Sequence, residues 1–226
     1  MTVILVLAVF ALFIAIDLIR NPSIRRDRIV TEVPAIDSIP FLAPLAPVWV
    51  AGYQMPEELH YHRGHTWAHV LPNGHARIGL DDFARQLVGR ATAVKLPEMG
   101  AHVHQGAGTF GIEVGNRAVS LLSPLDGHVV AVNPALAQSP TLASDDPYGR
   151  GWLVEIRPSG LRRGLNNLLS GGLAQRFMEH TRQQLEHGLM ALSGSVLQDG
   201  GVPIADFARE LSDEDWQRLT HELLLA

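Results

Sequence analysis

The sequence predicts an α+β protein with an N-terminal transmembrane helix, a β domain and a C-terminal α-helical extension. Three observations support this class. An unbroken apolar run fills residues 3–16, short apolar stretches between turn signals fill residues 53–160, and leucines at helical spacing recur in residues 161–226. A hydrophobic fraction of 46% over 226 residues is typical of a folded chain and excludes a largely disordered one.

The composition excludes several classes of function. A net charge of −5 provides no basic field for phosphates, so we expect no nucleic-acid partner. Because the sequence contains no cysteine, disulfides, thiol catalysis, iron–sulfur clusters and thiolate zinc sites are excluded. No nucleophile elbow of the Gly-x-Ser-x-Gly type occurs, so we predict no catalytic residue. Of the 18 basic residues only Lys95 is a lysine.

Residues 1–19 are predicted to be a membrane anchor. As a helix they would be about 28 Å long, close to the thickness of about 30 Å of a bilayer core. No basic residue precedes the apolar run, whereas arginines follow it at positions 20, 25, 26 and 28, which is not the pattern of a cleaved signal peptide. The positive-inside rule then predicts a single-pass protein of the inner (cytoplasmic) membrane, with its N-terminus outside and its C-terminal part in the cytoplasm. The alternative is a helix buried in a protein core.

Residues 20–52 are predicted to be a juxtamembrane linker. Its prolines prevent a long helix and favour an extended connector; they are Pro22, Pro34, Pro40, Pro44 and Pro47. The apolar end of this linker, residues 39–50 with Trp49, is expected to lie at the membrane interface, under a partner or against the following domain.

Residues 53–160 are predicted to be a β domain that contains one short helix. Turn signals punctuate the strands at Pro72-Asn73-Gly74, Glu98-Met99-Gly100, Gly115-Asn116 and Asp126-Gly127. The helix is predicted after the N-cap candidates Asp81 and Asp82, and Gly89 ends it.

Residues 161–226 are predicted to be an α-helical extension with a charge of −3. Ser212 is the expected N-cap of the last helix, which carries an acidic first turn and an apolar stripe. The stripes must be buried either on the β domain or on another subunit. Their members are Leu173, Phe177, Leu185, Leu189 and Leu192 in the first helix, and Trp216, Leu219, Leu223 and Leu224 in the last.

The β domain resembles the H protein of the glycine cleavage system, a relative of lipoyl domains. The resemblance covers nearly all of residues 56–157 and implies a flattened β-barrel of two antiparallel sheets with short helices. Seven ordered blocks carry it, at residues 56–67, 78–89, 96–100, 123–127, 130–133, 139–140 and 146–152.

In that family a lysine at the tip of a β-hairpin carries lipoic acid in an amide bond. The family's tip reads Glu-Ser-Val-Lys-Ala, with a proline eleven positions after the glutamate, and Glu113 and Pro124 keep this separation. The lysine position then falls on Asn116, whose amide is not basic, while Arg117 stays protonated. We therefore expect the tight Gly115-Asn116 turn to persist as a degenerate lipoyl position, with no lipoate or other cofactor.

Lys95 is the other amine to consider. It precedes Leu96-Pro97, far in sequence from the hairpin tip, and is expected to be a solvated strand lysine rather than a replacement attachment point.

Two histidine pairs are weak candidates for metal ligands. His60 and His62, and likewise His102 and His104, are two positions apart, which puts each pair on one face of a strand. Such pairs bind zinc or copper, but no carboxylate is directly beside either pair in the sequence. We therefore expect no metal.

Together these features predict a non-catalytic subunit. The leading hypothesis is a membrane-tethered, non-lipoylated adaptor similar to H proteins, which binds lipid through residues 1–19 and docks a protein partner, such as a membrane-bound complex, at the cytoplasmic face. The alternative is a functional lipoyl carrier of a glycine-cleavage-like system that transfers aminomethyl groups. A third hypothesis is a histidine-based metal-binding module.

Overall fold

The structure, a computed structural model, describes residue 46 and residues 48–193 and 211–225, which all belong to the unit formed by residues 41–226. The predicted anchor and most of the predicted linker lie outside the described residues. Within the described ranges, no helix is both long enough and apolar enough to cross a membrane.

Antiparallel strands form three sheets in the described part of the chain. The first sheet is a ribbon of β1 (Trp49–Val50) and β2 (Tyr53–Gln54). The second has six strands in the order β3 (His60–Tyr61), β4 (Thr66–Val70), β5 (Ala76–Leu80), β11 (Val154–Pro158), β10 (Gly127–Val132) and β7 (His102–Val103). The third has the order β6 (Ala93–Lys95), β8 (Gly108–Val114) and β9 (Arg117–Leu122). The predicted antiparallel sheets of an H-protein-like fold are therefore confirmed, with the ribbon as an addition.

The ribbon includes the last residues of the predicted linker. Tyr53 is 1% exposed and meets the ring of Phe83 edge to face at 5.2 Å between centroids, which anchors β2 on the domain. Val50 is buried beside it, whereas the indole of Trp49 is 64% exposed. The apolar end of the linker thus packs against the following domain at Val50 and leaves Trp49 at the surface.

The three-stranded sheet has one buried face and one outer face. Side chains of a strand alternate between the two faces, and β8 and β9 follow this rule. The buried face contributes Phe110, Ile112, Val119 and Leu121 to the core. The outer face carries mostly small residues and is formed by Ala93, Lys95, Gly111, Glu113, Ala118 and Ser120.

Local sequence signals set the ends of helix α1 (Asp82–Val88). Asp81 is its N-cap and accepts a hydrogen bond from the backbone N–H of Ala84 at 2.8 Å, and Gly89 ends the helix with φ of 92°. The sequence predicted one helix within residues 53–160, but the structure has two more there, α2 (Ala135–Gln138) and α3 (Leu142–Asp145). Each of these is about one turn long, which is too short for a helical period to be visible in sequence.

The C-terminal part contains α4 (Leu161–Asn166), α5 (Gly171–Ser193) and α6 (Asp213–Leu224). The predicted N-cap is confirmed, because the Ser212 hydroxyl accepts a hydrogen bond from the N–H of Asp215 at 3.1 Å. Both stripes contribute residues that are buried inside this chain, although Leu173 is 58% exposed. The buried members of the predicted stripes are Leu185, Trp216, Leu219, Leu223 and Leu224.

Candidate functional site

The β8–β9 hairpin carries the position that the resemblance assigns to the lipoyl lysine. Val114 pairs with Arg117 across a two-residue turn, so the predicted tight turn is present. Gly115 has φ of 63°, and a Cβ added there would meet no atom within 4 Å. Because L side chains rarely adopt this φ, glycine suits the first turn position. The tip is thus a sharp turn with an exposed asparagine at its end.

The first turn of α6 holds the hairpin tip. The Asn116 side-chain amide donates to Asp213 Oδ2 at 3.3 Å, and Arg117 Nε donates to Asp213 Oδ1 at 2.7 Å. Arg117 also donates from Nη2 to the carbonyl of Leu211 at 2.6 Å, and its guanidinium carbon lies 5.6 Å from the centre of the Trp216 ring. These contacts join residues more than 90 positions apart, so no local pattern in the sequence predicts them.

The tip residues do not fit an amide-linked cofactor. Attachment of lipoate requires a primary amine, and the Asn116 nitrogen belongs to an amide that is not basic. A lysine on the same sheet does fit. Lys95 lies on β6 opposite Gly111 of β8, and its side chain is 76% exposed. Its Nζ lies 2.5 Å from Glu113 Oε1. Glu113 is the residue that aligns with the first glutamate of the family's tip motif.

An open cleft of about 500 Å³ borders the hairpin tip; we call it the tip cleft. It is lined by Arg90, Ala91, Thr92, Val114, Gly115, Asn116, Arg117 and Thr141. Thr92, the residue before β6, is joined to the end of β8 through its hydroxyl. The hydroxyl donates to the Glu113 carbonyl at 3.0 Å and accepts from the Gly115 N–H at 3.1 Å. Lys95 is three residues further along the chain from Thr92, about 10 Å at the rise of a strand.

Charged pairs fix the two arginines of the tip cleft. Arg90 donates to both carboxylate oxygens of Asp145, at 3.1 and 2.8 Å, and this hydrogen bonding lowers the pKa of Asp145 below its ordinary value. Arg117 forms an ion pair with Asp213, through Nε and Oδ1 at 2.7 Å. The tip cleft therefore has a polar rim whose cations already interact with carboxylates.

The predicted histidine pairs occupy different environments. His60 and His62 are partly buried, and burial lowers the pKa of each ring; His62 Nδ1 also accepts a hydrogen bond from the Gly64 N–H at 2.9 Å. His102 and His104 are exposed, with Nδ1 and Nε2 3.4 Å apart. The fold adds His128 and Asp126 to this second pair, although across the described ranges no group of three or more potential ligands is arranged to hold a metal ion.

A buried contact between a histidine and a carboxylate supports the domain core. His65 Nδ1 and Asp81 Oδ2 are 2.8 Å apart, and both side chains are at most 1% exposed. The imidazole stacks against Phe83 and Phe177, with ring centroids 4.3 and 5.1 Å away. Because Asp81 is also the N-cap of α1, this pair joins β4, α1 and α5 and has a structural role.

Comparisons with known proteins find glycine cleavage H proteins. The family model described as "Glycine cleavage H-protein" matches residues 59–181. A glycine cleavage system H protein of Hydrogenovibrio crunogenus is 39% identical over 116 residues, which are 51% of this chain and 89% of the relative. That of Aeromonas hydrophila is 40% identical over 103 residues, 46% of this chain and 80% of the relative. A crystal structure of the Mycobacterium marinum H protein is 31% identical, covers 46% of this chain and 87% of its own, and has a TM-score of 0.44.

The comparisons correct one prediction. The expectation that this chain carries no cofactor is wrong, because the glycine cleavage H proteins that match at 32–40% identity carry lipoate. That expectation rested on Asn116 at the hairpin tip, and Lys95 was not expected to replace it because Lys95 is far in sequence from the tip. The β6–β8 register places Lys95 opposite Gly111, on the same sheet face as Glu113.

Proposed function

Because this chain belongs to the glycine cleavage H-protein family, we propose that it is a lipoyl carrier of a glycine-cleavage-like system, which docks with partner proteins and carries an aminomethyl group between them. The observation that supports this proposal is the family match over residues 59–181, which includes the β8–β9 hairpin, β6 and the chain's single lysine. In this role the chain is a non-catalytic subunit, and its partners perform the chemistry.

The cofactor and the chain make separate contributions to this function. When bound, lipoate supplies a pair of sulfur atoms that accept and release the transferred group. The chain contributes an amine for attachment, an outer sheet face of small side chains, and the tip cleft with its polar rim. Because most side chains of the outer face are short, a partner protein can approach this face closely.

Reconstitution with the remaining proteins of a glycine cleavage system tests the proposal. Full-length chain, prepared in cells that attach lipoate and purified in mild detergent, is expected to restore glycine-dependent reduction of NAD in a mixture that lacks its H protein. The H. crunogenus relative serves as the positive control, and chain prepared without lipoate serves as the matched negative control. A lipoate-loaded chain that restores no activity while the relative does would contradict the proposal.

We also propose that residues 1–19 tether this carrier to the cytoplasmic face of the inner membrane. The apolar run and the arginines that follow it support this part of the proposal. A tether would confine the carrier to the membrane and raise its concentration near a membrane-bound partner. Alkaline carbonate extraction of membranes is expected to leave the full-length chain in the pellet and a variant without residues 1–19 in the supernatant. Full-length chain in the supernatant would refute the tether without affecting the carrier proposal.

A further inference from the structure

We infer that Lys95 is the residue to which this chain attaches an acyl group of the lipoate class, through an amide on its Nζ. The inference rests on the proposed carrier function and assigns the modification to β6, outside the hairpin tip. Three properties of the chain support it: the supply of amines in the sequence, the access to Nζ, and the position of Lys95 on the sheet.

The first property is the supply of acceptor nitrogens. A stable amide to a carboxylic acid requires a primary amine that becomes nucleophilic when it loses a proton. The sequence contains one lysine side chain, at Lys95, and its remaining 17 basic residues are arginines that stay protonated. Asn116, at the tip, has only an amide nitrogen, and that nitrogen is engaged with Asp213. Every lysine-type modification of this chain must therefore occur at Lys95.

The second property is access to the amine. β6 is an edge strand of the three-stranded sheet, and the Lys95 side chain is 76% exposed. Opposite it on β8 is Gly111, where an added Cβ would lie 3.1 Å from the Lys95 Cβ. The lysine stem thus lies over a glycine, and Ala93, two residues before it on the same face, is also small. A modifying enzyme meets few obstructing side chains on this face.

The third property is the position of Lys95 relative to the hairpin. Glu113 follows the family's spacing to Pro124, and its carboxylate contacts the Lys95 ammonium at 2.5 Å. Glu113 therefore has an amine beside it, and this amine comes from the neighbouring strand β6. The fold places it on the sheet that carries the tip cleft.

The modification requires an activated acyl donor, and an acyl adenylate is the chemical class we assign. The ammonium of Lys95 first loses a proton to solvent. The free amine then attacks the acyl carbonyl carbon, so that a C–N bond forms while the C–O bond to the phosphate breaks. AMP leaves with the electron pair of that bond, and the nitrogen releases a second proton to give the neutral amide. No oxidant or reductant is consumed.

Intact-mass measurement of the full-length chain tests the inference. The chain, Lys95→Arg, and the H. crunogenus H protein as a positive control are each expressed in cells that contain a lipoate-attaching enzyme and free lipoate. Lys95→Arg retains a positive charge for Glu113 but removes the amine. We expect a lipoyl-sized mass increment on the parent chain and its complete loss in Lys95→Arg. Trypsin gives a second readout, because an acylated Lys95 resists cleavage and leaves residues 91–117 as one peptide.

The outcomes separate this inference from the proposed function. If Lys95→Arg keeps the increment, attachment occurs elsewhere, and the inference fails while the carrier function stands. If the parent chain stays unmodified while the H. crunogenus protein is modified, both fail. An Asn116→Lys variant identifies the reason in that case, since its modification would show that the attaching enzyme recognises this domain but not Lys95.

Discussion

The contact between the hairpin tip and α6 makes a quantitative prediction about stability. Arg117 reaches three groups of the C-terminal segment: the Asp213 carboxylate, the Leu211 carbonyl and the face of the Trp216 ring. Its side chain is 16% exposed, whereas that of Asp213 is 61% exposed. Solvent therefore screens the ion pair, and we expect a coupling energy between the two side chains of about 0.5–1 kcal/mol.

Arg117→Ala should cost more than this coupling energy. The substitution also removes the hydrogen bond to Leu211 and the interaction with the Trp216 ring, which typically contribute about 1 kcal/mol each. We therefore expect Arg117→Ala to lower the free energy of unfolding by about 2.5–3 kcal/mol. Asp213→Ala should lower it by about 1 kcal/mol, because it also removes a negative charge from the first turn of α6.

A double-mutant cycle measures the coupling energy directly. The full-length parent chain, both single variants and the double variant are unfolded with guanidinium in mild detergent and followed by tryptophan fluorescence. The pair Asp215 and Arg218 provides a matched control within α6, since these side chains are 3.2 Å apart, three positions apart in sequence and more exposed at the arginine. Its coupling energy should be at most about 0.5 kcal/mol. A coupling between Arg117 and Asp213 no larger than that of the control pair would refute the reasoning.

Three further predictions follow from the described contacts. Gly79→Ala should lower the free energy of unfolding by about 1–3 kcal/mol, because its Cβ would overlap the buried indole of Trp67. Thermal unfolding measures this effect. The control is Gly172→Ala, whose Cβ meets only the end of an arginine side chain and should change the free energy of unfolding little. The parent chain should lose free energy of unfolding as the pH falls from about 7.5 to 5.5, and His62→Asn should make this loss smaller. Burial lowers the pKa of His62 in the folded state, so the unfolded chain binds the proton more readily and the folded form loses stability as the pH falls. Asparagine keeps a hydrogen-bond acceptor for the Gly64 N–H but does not titrate. An unchanged pH slope would contradict this. Ending the chain at residue 193 should expose the surface that Trp216 covers and accelerate limited proteolysis of the β domain; equal proteolysis rates would show that α6 is dispensable.

Local chemistry accounts for the features that could be predicted from the sequence. Asp81 and Gly89 mark the ends of α1, and Ser212 marks the start of α6, because the cap satisfies backbone groups within a few residues of itself. The Gly115 turn follows from the same kind of reasoning, since its positive φ is a property of one residue. The antiparallel sheets could be expected from the resemblance, whose ordered blocks span most of the β domain.

Long-range packing decided the features that the sequence analysis missed. Lys95 and Glu113 are 18 positions apart, and only the register of β6 on β8 brings the amine to the carboxylate. Arg117 and Asp213 are 96 positions apart and meet because α6 buries Trp216 within the domain. Hydrophobic periodicity shows that a stripe must be buried but not against which surface, because burial of apolar area is not directional. The position of the Lys95 amine beside Glu113 therefore depends on strand pairing, which no local motif encodes.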